Sequence, residues 1–154
     1  TRWFLARGHS VCAVDRSVEA IDAVRTLAPL DAGERLETRV ADLENAPWPF
    51  AGRRFDAVIV TNYLWRPALP RIVGSVADSG VLIYETFAAG NETVGRPARA
   101  DFLLQPGELI AACADLRVLA YEDGYLDDPP RFVQRIAAMR VGPGGAWPRL
   151  PLGQ

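Results

Sequence analysis

Three Val/Ile-rich runs constrain this chain most: "VCAVD" (11–15), "FDAVIVTNYL" (55–64) and "GVLIYETF" (80–87), each followed by residues of a different period or by a long loop. A continuous apolar run of this length is what a strand buried on both sides presents, and strands alternating with helical segments predict a parallel sheet covered on both faces, an α/β architecture. The intervening segments fit. "SVEAIDAVRTLA" (17–28) places Val18, Ile21, Val24, Leu27 and Ala28 at helical spacing, with Ser17 as N-cap and Pro29 beyond the end. "LETRVADL" (36–43) reads as a further strand, and "PALPRIVGSVAD" (67–78) as a helix opened by Pro67, with "DSG" (78–80) as the turn into the next strand.

The last third changes character. "QPGELIAACAD" (105–115) predicts a helix with Pro106 near its start, and residues 116–141 predict an antiparallel pair around a turn rich in Pro, Asp and Gly. Residues 142–154 have the composition of a flexible tail. At 154 residues and 49% hydrophobic, the chain is long enough for one sizeable core, expected over residues 1–141. "TRWFLARGHS" opens without Met and reads as the last turns of a helix stopped by Gly8, so the chain looks cut into, not begun.

Charge and cysteine usage exclude several classes. The net charge of −2 comes from intermixed acids and arginines, without the basic face that nucleic-acid binding needs. Cys12 and Cys113 sit in apolar contexts outside any C-x-x-C pattern, as in a reduced cytoplasmic protein, and His9 has no second ligand nearby, so no metal site is expected. No run approaches a membrane span.

In open α/β sheets ligands bind outside the carboxyl ends of the strands. Asp15 ends the run "VCAVD", where a carboxylate can accept hydrogen bonds from the two vicinal hydroxyls of a ribose; the alternative is that it merely caps the helix that follows. Asp42 repeats the arrangement in "VADLE", where it can accept from an adenine amine while Leu43 covers the base; its alternative is a loop-opening Asx turn.

These residues carry a resemblance. "VCAVDRSVEAIDAVR", "RVADLENAPWPFAGRRFDAVIVTNYL" and "GVLIYETF" resemble the second to fifth strands of the class I S-adenosylmethionine-dependent methyltransferases, in particular the small bacterial type related to tellurite-resistance methyltransferases. The resemblance implies a Rossmann-like, doubly wound, mostly parallel sheet with a C-terminal antiparallel hairpin, and S-adenosylmethionine as cofactor. It further implies that Asp15, with Arg16 beside it, holds the ribose, that Asp42 and Leu43 hold the adenine, and that Asn62 and Tyr63 face the reacting centre. The family's glycine-rich first motif and first strand are not found, which predicts weak cofactor binding by these 154 residues alone. "DSG" stands where a Pro-Gly-Gly turn is usual, with Gly80 expected to keep the permissive position.

Methyl transfer from a sulfonium is an in-line displacement for which alignment supplies most of the rate, so no acid/base dyad is required. On the substrate side the candidates are Asn62, Tyr63 and Glu85, with Trp65, Arg66 and Tyr125 behind them, and the acceptor expected is a small molecule. The segment 88–105 reads either as a lid hinged at Gly90, Gly95 and Pro97 or as an ordinary surface excursion. Two rivals stand: a non-catalytic or truncated methyltransferase-like module, and an NAD(P)-dependent oxidoreductase, for which an acid after the second strand serves equally and Arg16 would suit a 2′-phosphate. Against the latter, no Tyr-x-x-x-Lys or comparable hydride-transfer set is present.

Overall fold

The computed structural model describes residues 1–29, 31–142 and 144, packed as two compact units, Thr1–Pro49 and Phe50–Gln154. The proposed tail, from Gly142 on, lies outside the described residues apart from Gly142 and Gly144.

The first unit holds α1 (Arg2–Leu5), β1 (Val11–Asp15), α2 (Val18–Leu27) and β2 (Leu36–Val40). β1 and β2 pair in parallel, Val11 opposite Leu36 and Asp15 opposite Val40. The helix begins where its cap demands: the Ser17 hydroxyl accepts the Ala20 N–H at 3.0 Å. Of its apolar positions only Ile21 is fully buried, beside a core that includes Leu5 and Ala32, while Val18 and Leu27 remain exposed. Arg25 reaches across to the Thr38 hydroxyl of β2 at 2.8 and 3.0 Å, and Arg35 donates to the Leu5 carbonyl at 2.8 Å.

The second unit holds β3 (Phe55–Thr61), α3 (Leu69–Gly74), β4 (Val76–Phe87), α4 (Glu108–Ala112), β5 (Arg117–Asp127) and β6 (Pro130–Met139). Its sheet order is β3-β4-β6-β5, with β3 and β4 parallel and the β5–β6 hairpin antiparallel, as the apolar runs and the Pro/Asp/Gly turn predicted. α3 packs on β4, α4 packs on β6, and the two helices touch. The even-numbered side chains Leu82, Tyr84, Thr86, Gln134, Ile136 and Ala138 are buried beneath them. On the odd-numbered face Ile59 and Ile83 are 43% and 44% exposed, and the helices of this unit pack on the opposite face. Both connecting helices lie on the same side, as right-handed crossovers require when the sheet grows in one direction, from β3 to its parallel neighbour β4 and on to β5, which runs parallel to β4 across β6.

Two boundaries differ from the sequence reading. "DSG" is not a turn outside the strand: β4 already starts at Val76, which is fully buried opposite Phe55, and the pairing then shifts so that Ala57 faces Val81. This is a bulge, and its left-handed residue is Ser79 (φ 64°). Gly80 is needed for a different reason from the one expected: a Cβ there would lie 2.9–3.0 Å from the carbonyl oxygens of Ala77, Asp56 and Phe55. The helix expected over 105–115 is also shorter, because Gly107 adopts φ 73° and leaves Pro106 outside it.

Candidate functional site

In the first unit, Asp15 is the last residue of β1 and Asp42 follows β2 by two residues; the Ala41 N–H donates to the Asp15 carbonyl at 2.9 Å, so both acids stand at the carboxyl end of the pair. Asp15 Oδ1 accepts the Ser17 N–H at 2.8 Å, and Oδ2, on an exposed side chain, accepts no hydrogen bond from the described residues. The capping geometry and an oxygen open to a ligand therefore coexist on one carboxylate. Asp42 is more fully engaged. Oδ1 accepts the N–H groups of Glu44 and Asn45 at 2.8 and 3.2 Å, and Oδ2 accepts Asn45 Nδ2 at 2.9 Å. The Asn45 side chain first, then the Glu44 and Asn45 backbone and the Arg16 charge, hold the Asp42 carboxyl below its usual range. Leu43 beside it is half-buried and Arg16 is exposed.

Asp15 thus keeps one oxygen for a donor such as a ribose hydroxyl. An adenine amine finds less at Asp42: three donors already occupy its two oxygens, leaving about one acceptor site.

In the second unit the carboxyl ends of β3 and β4 carry Asn62 and Glu85. Thr61 pairs with Glu85, and the Asn62 N–H donates to the Glu85 carbonyl at 3.0 Å. Asn62 is left-handed (φ 52°), a conformation that Asn tolerates better than most residues, and it redirects the chain out of the strand. The next residue is fixed from below: the Tyr84 hydroxyl, 1% exposed on β4, donates to the Tyr63 carbonyl at 2.7 Å. Burial, followed by the nearby Tyr63, pushes the Tyr84 phenol well above its ordinary value, so it stays a donor. The Tyr63 ring turns inward with its hydroxyl buried.

Glu85 has partners that were not singled out from the sequence. Arg135 Nε lies 2.6 Å from it and Arg131 Nη2 3.9 Å, while Arg135 Nη1 lies 3.2 Å from Glu122. Arg131 and Arg135 share the face of β6 that meets Glu85 because they lie four residues apart, two periods of the strand's alternation, with Arg135 directly opposite Glu85. The only sequence signal was that period of two, which has no meaning until the hairpin register is known.

Arg66 is not available to a substrate. Its guanidinium forms two hydrogen bonds with Glu108, at 2.7 and 2.9 Å, and donates to the carbonyls of Asp101 and Leu103, both at 2.9 Å. Those contacts, with the Ala88–Leu104 bridge and the buried Asn91, which donates to the Pro97 carbonyl and accepts the Phe132 N–H, tie segment 88–105 down along its length. The excursion reading holds for this segment over the hinged lid. Tyr125 lies within β5, not in the turn, and packs on Phe132 with ring centroids 5.0 Å apart.

Among the described residues no three His, Cys, Asp or Glu side chains form a group that could hold a metal ion, and no helix is long and apolar enough to cross a membrane.

Residues 1–74 match the family described as Methyltransferase domain. No curated protein matches the chain by sequence. Solved structures share the fold. TehB from Haemophilus influenzae aligns with a TM-score of 0.61 at 18% identity over 86% of this chain and 50% of that one. The 1,6-didemethyltoxoflavin-N1-methyltransferase of Burkholderia thailandensis, solved with 1,6-didemethyltoxoflavin and S-adenosylhomocysteine bound, gives 0.62 at 17% identity over 90% and 64%. A 16S rRNA (adenine(1408)-N(1))-methyltransferase from Catenulisporales acidiphilia gives 0.59 at 16% over 92% and 78%. The chain thus spans half the length of TehB and about two thirds of the toxoflavin enzyme.

Proposed function

We propose that this chain, a member of the class I S-adenosylmethionine-dependent methyltransferases, binds that cofactor through the carboxyl end of its β1–β2 pair and serves methyl transfer to a small-molecule acceptor. The observation that carries the reading is the placement of Asp15 and Asp42 at adjacent strand ends, inside the segment that matches the methyltransferase domain.

When bound, S-adenosylmethionine supplies an electrophilic methyl group on a sulfonium. Asp15 would accept from the ribose hydroxyls through Oδ2 while Oδ1 stays on the Ser17 amide, so the ligand meets a carboxylate already oriented. Leu43 would cover the adenine face, with Asp42 contributing its remaining acceptor site. Arg16, which lies near Asp42, offsets part of that carboxylate's charge. On the acceptor side, Asn62 and Glu85 are fixed by one shared backbone hydrogen bond, and Tyr84 holds the Tyr63 carbonyl so that the turn carrying Asn62 does not sag. Orientation is the whole task of these groups, because the displacement needs no obligatory proton transfer.

The fold itself does not choose the acceptor, since the neighbours above are named for methylating 1,6-didemethyltoxoflavin in one case and 16S rRNA in the other. The net charge of −2 and the intermixing of acids with arginines favour a small molecule over RNA.

The test is calorimetric binding of S-adenosylhomocysteine to the full-length gene product carrying these 154 residues. Binding that Asp15→Asn weakens at least about tenfold, the worth of one charge-assisted hydrogen bond, supports the reading. A well-folded protein that does not bind it moves the chain to the second reading, a methyltransferase-like module without catalysis, which the engagement of Asp42 by its own loop favours.

A further inference from the structure

We infer that Asn45 decides which base the cofactor site takes: its side-chain amide, pinned in one orientation by Asp42, pairs with the amine and the adjacent ring nitrogen of adenine and turns away hypoxanthine. The inference rests on the methyltransferase reading and lies wholly within the first unit. Asp42 by itself does not supply that selectivity. Its Oδ1 accepts the N–H groups of Glu44 and Asn45 at 2.8 and 3.2 Å, and its Oδ2 accepts Asn45 Nδ2 at 2.9 Å, which leaves about one acceptor site. A lone acceptor takes the N6 amine of adenine or the N1–H of hypoxanthine equally, so it adds affinity without choice.

Asn45 carries what Asp42 lacks. The Asn45 side chain, then the Glu44 and Asn45 backbone, hold the Asp42 carboxyl below the ordinary 3.8, so at neutral pH it is an acceptor only. The atom of Asn45 that faces it is therefore the amide nitrogen, because turning the amide over would set two oxygens against each other. Repulsion between Oδ1 and the carboxylate also directs toward Asp42 the N–H that points away from Oδ1. The second N–H and Oδ1 then stand side by side on one edge of the planar group. Neither makes a hydrogen bond with the described residues, and the side chain is exposed. The backbone beneath is fixed too, since the Ala46 N–H closes the turn on the Asp42 carbonyl at 3.2 Å.

That edge matches one base and mismatches the other. Adenine presents a donor, the N6 amine, beside an acceptor, N1; hypoxanthine presents the reverse, O6 beside N1–H. A primary amide that can turn over satisfies either, whereas a pinned one satisfies a single order of donor and acceptor. With the ribose on Asp15 and the face of the base on Leu43, the base meets the edge in one sense only, and for an adenosyl cofactor that sense is adenine's. Asp42 is then a positioning residue for Asn45, and the bond between their side chains acts against the wrong base as well as for the right one.

The test compares S-adenosylhomocysteine with S-inosylhomocysteine, which carries hypoxanthine in place of adenine, by calorimetry on the full-length gene product. The unaltered protein should bind the adenosyl form at least about tenfold more tightly, the effect of leaving one hydrogen-bonding group mismatched. Asn45→Leu should bring the two affinities together. Asp42→Asn tests the positioning: an amide in place of the carboxylate donates where the carboxylate accepted, lets the Asn45 amide turn over and reverses its outward order. The preference should then fall or pass to the inosyl form although Asn45 is untouched, whereas a loop-supporting role alone would weaken both ligands alike. Equal binding of the two ligands by the unaltered protein, or a preference that survives intact in either variant, overturns the inference. Each comparison is a ratio within one protein, and the first needs no variant to fold. Equal binding leaves the methyltransferase reading standing; failure of both ligands to bind the folded, unaltered protein removes that reading and this inference with it.

Discussion

Arg66 and Glu108, 42 residues apart in sequence, form a two-pronged ion pair at 2.7 and 2.9 Å. The same guanidinium holds the carbonyls of Asp101 and Leu103, and Glu108 also accepts the Gln105 N–H at 2.8 Å. One pair therefore fastens the end of the 88–105 excursion to the start of α4.

Removing the cation should loosen that fastening before it unfolds the protein. Arg66 is 38% exposed and Glu108 20%, so solvent screens part of the interaction, and Arg66→Ala is expected to cost about 1–2 kcal/mol. Hydrogen exchange should show the loss of amide protection concentrated at Leu103–Glu108. Uniform loss across β4 and β6 would mean that the pair supports the whole unit.

The pair also sets an acid limit. Burial alone would raise the Glu108 carboxyl, but the hydrogen bonds from Arg66 and the Gln105 amide outweigh it and leave the value below the ordinary 4.5. A carboxyl lowered on folding contributes stability that is complete above its unfolded value and fades as pH falls through the folded one. Urea midpoints of the unaltered protein and of Glu108→Gln should differ at pH 7, and the difference should shrink as pH falls below the ordinary 4.5. A constant difference down to pH 3 would assign the effect to shape and not to charge.

Gly80 on β4 and Gly124 on β5, two strands of one sheet separated by β6, should answer oppositely to alanine. At Gly80 the new Cβ meets three carbonyl oxygens at 2.9–3.0 Å, which should destabilise by about 1–3 kcal/mol through backbone displacement. At Gly124 nothing lies within 4 Å, and alanine should be neutral or slightly stabilising. Urea midpoints measured side by side check both.

Asp15→Asn separates the two duties of that carboxylate. An asparagine oxygen can still accept the Ser17 N–H, so thermal stability should move little, while affinity for S-adenosylhomocysteine falls at least about tenfold. Parallel thermal melts and calorimetry read the two effects separately.

Cys113 is 1% exposed, and burial pushes its thiol up to about 11, so almost no thiolate exists at neutral pH. A thiol-reactive dye should leave it unmodified in the native protein and label it once denaturant is added. Rapid native labelling would show that α4 opens readily.

The strand runs, the α2 cap and the hairpin were legible because each is written in neighbouring residues: Val/Ile runs, Ser17 ahead of helical spacing, a Pro/Asp/Gly turn between extended segments. The strand-end acids Asp15 and Asp42 were legible for the same reason, since a carboxylate closing an apolar run has its position fixed by that run alone. Only the tertiary structure decided that Asp42 binds its own loop, that the DSG segment is a bulge inside β4, that Arg66 fastens residues 101–108 and that Glu85 meets Arg135 and Arg131. The last two relations join residues 35 to 50 positions apart, and no local pattern encodes them. They follow from strand register and helix placement, which are set when apolar faces such as Tyr84 and Ile136 are buried together, and the charged side chains take whichever partners that burial brings opposite them.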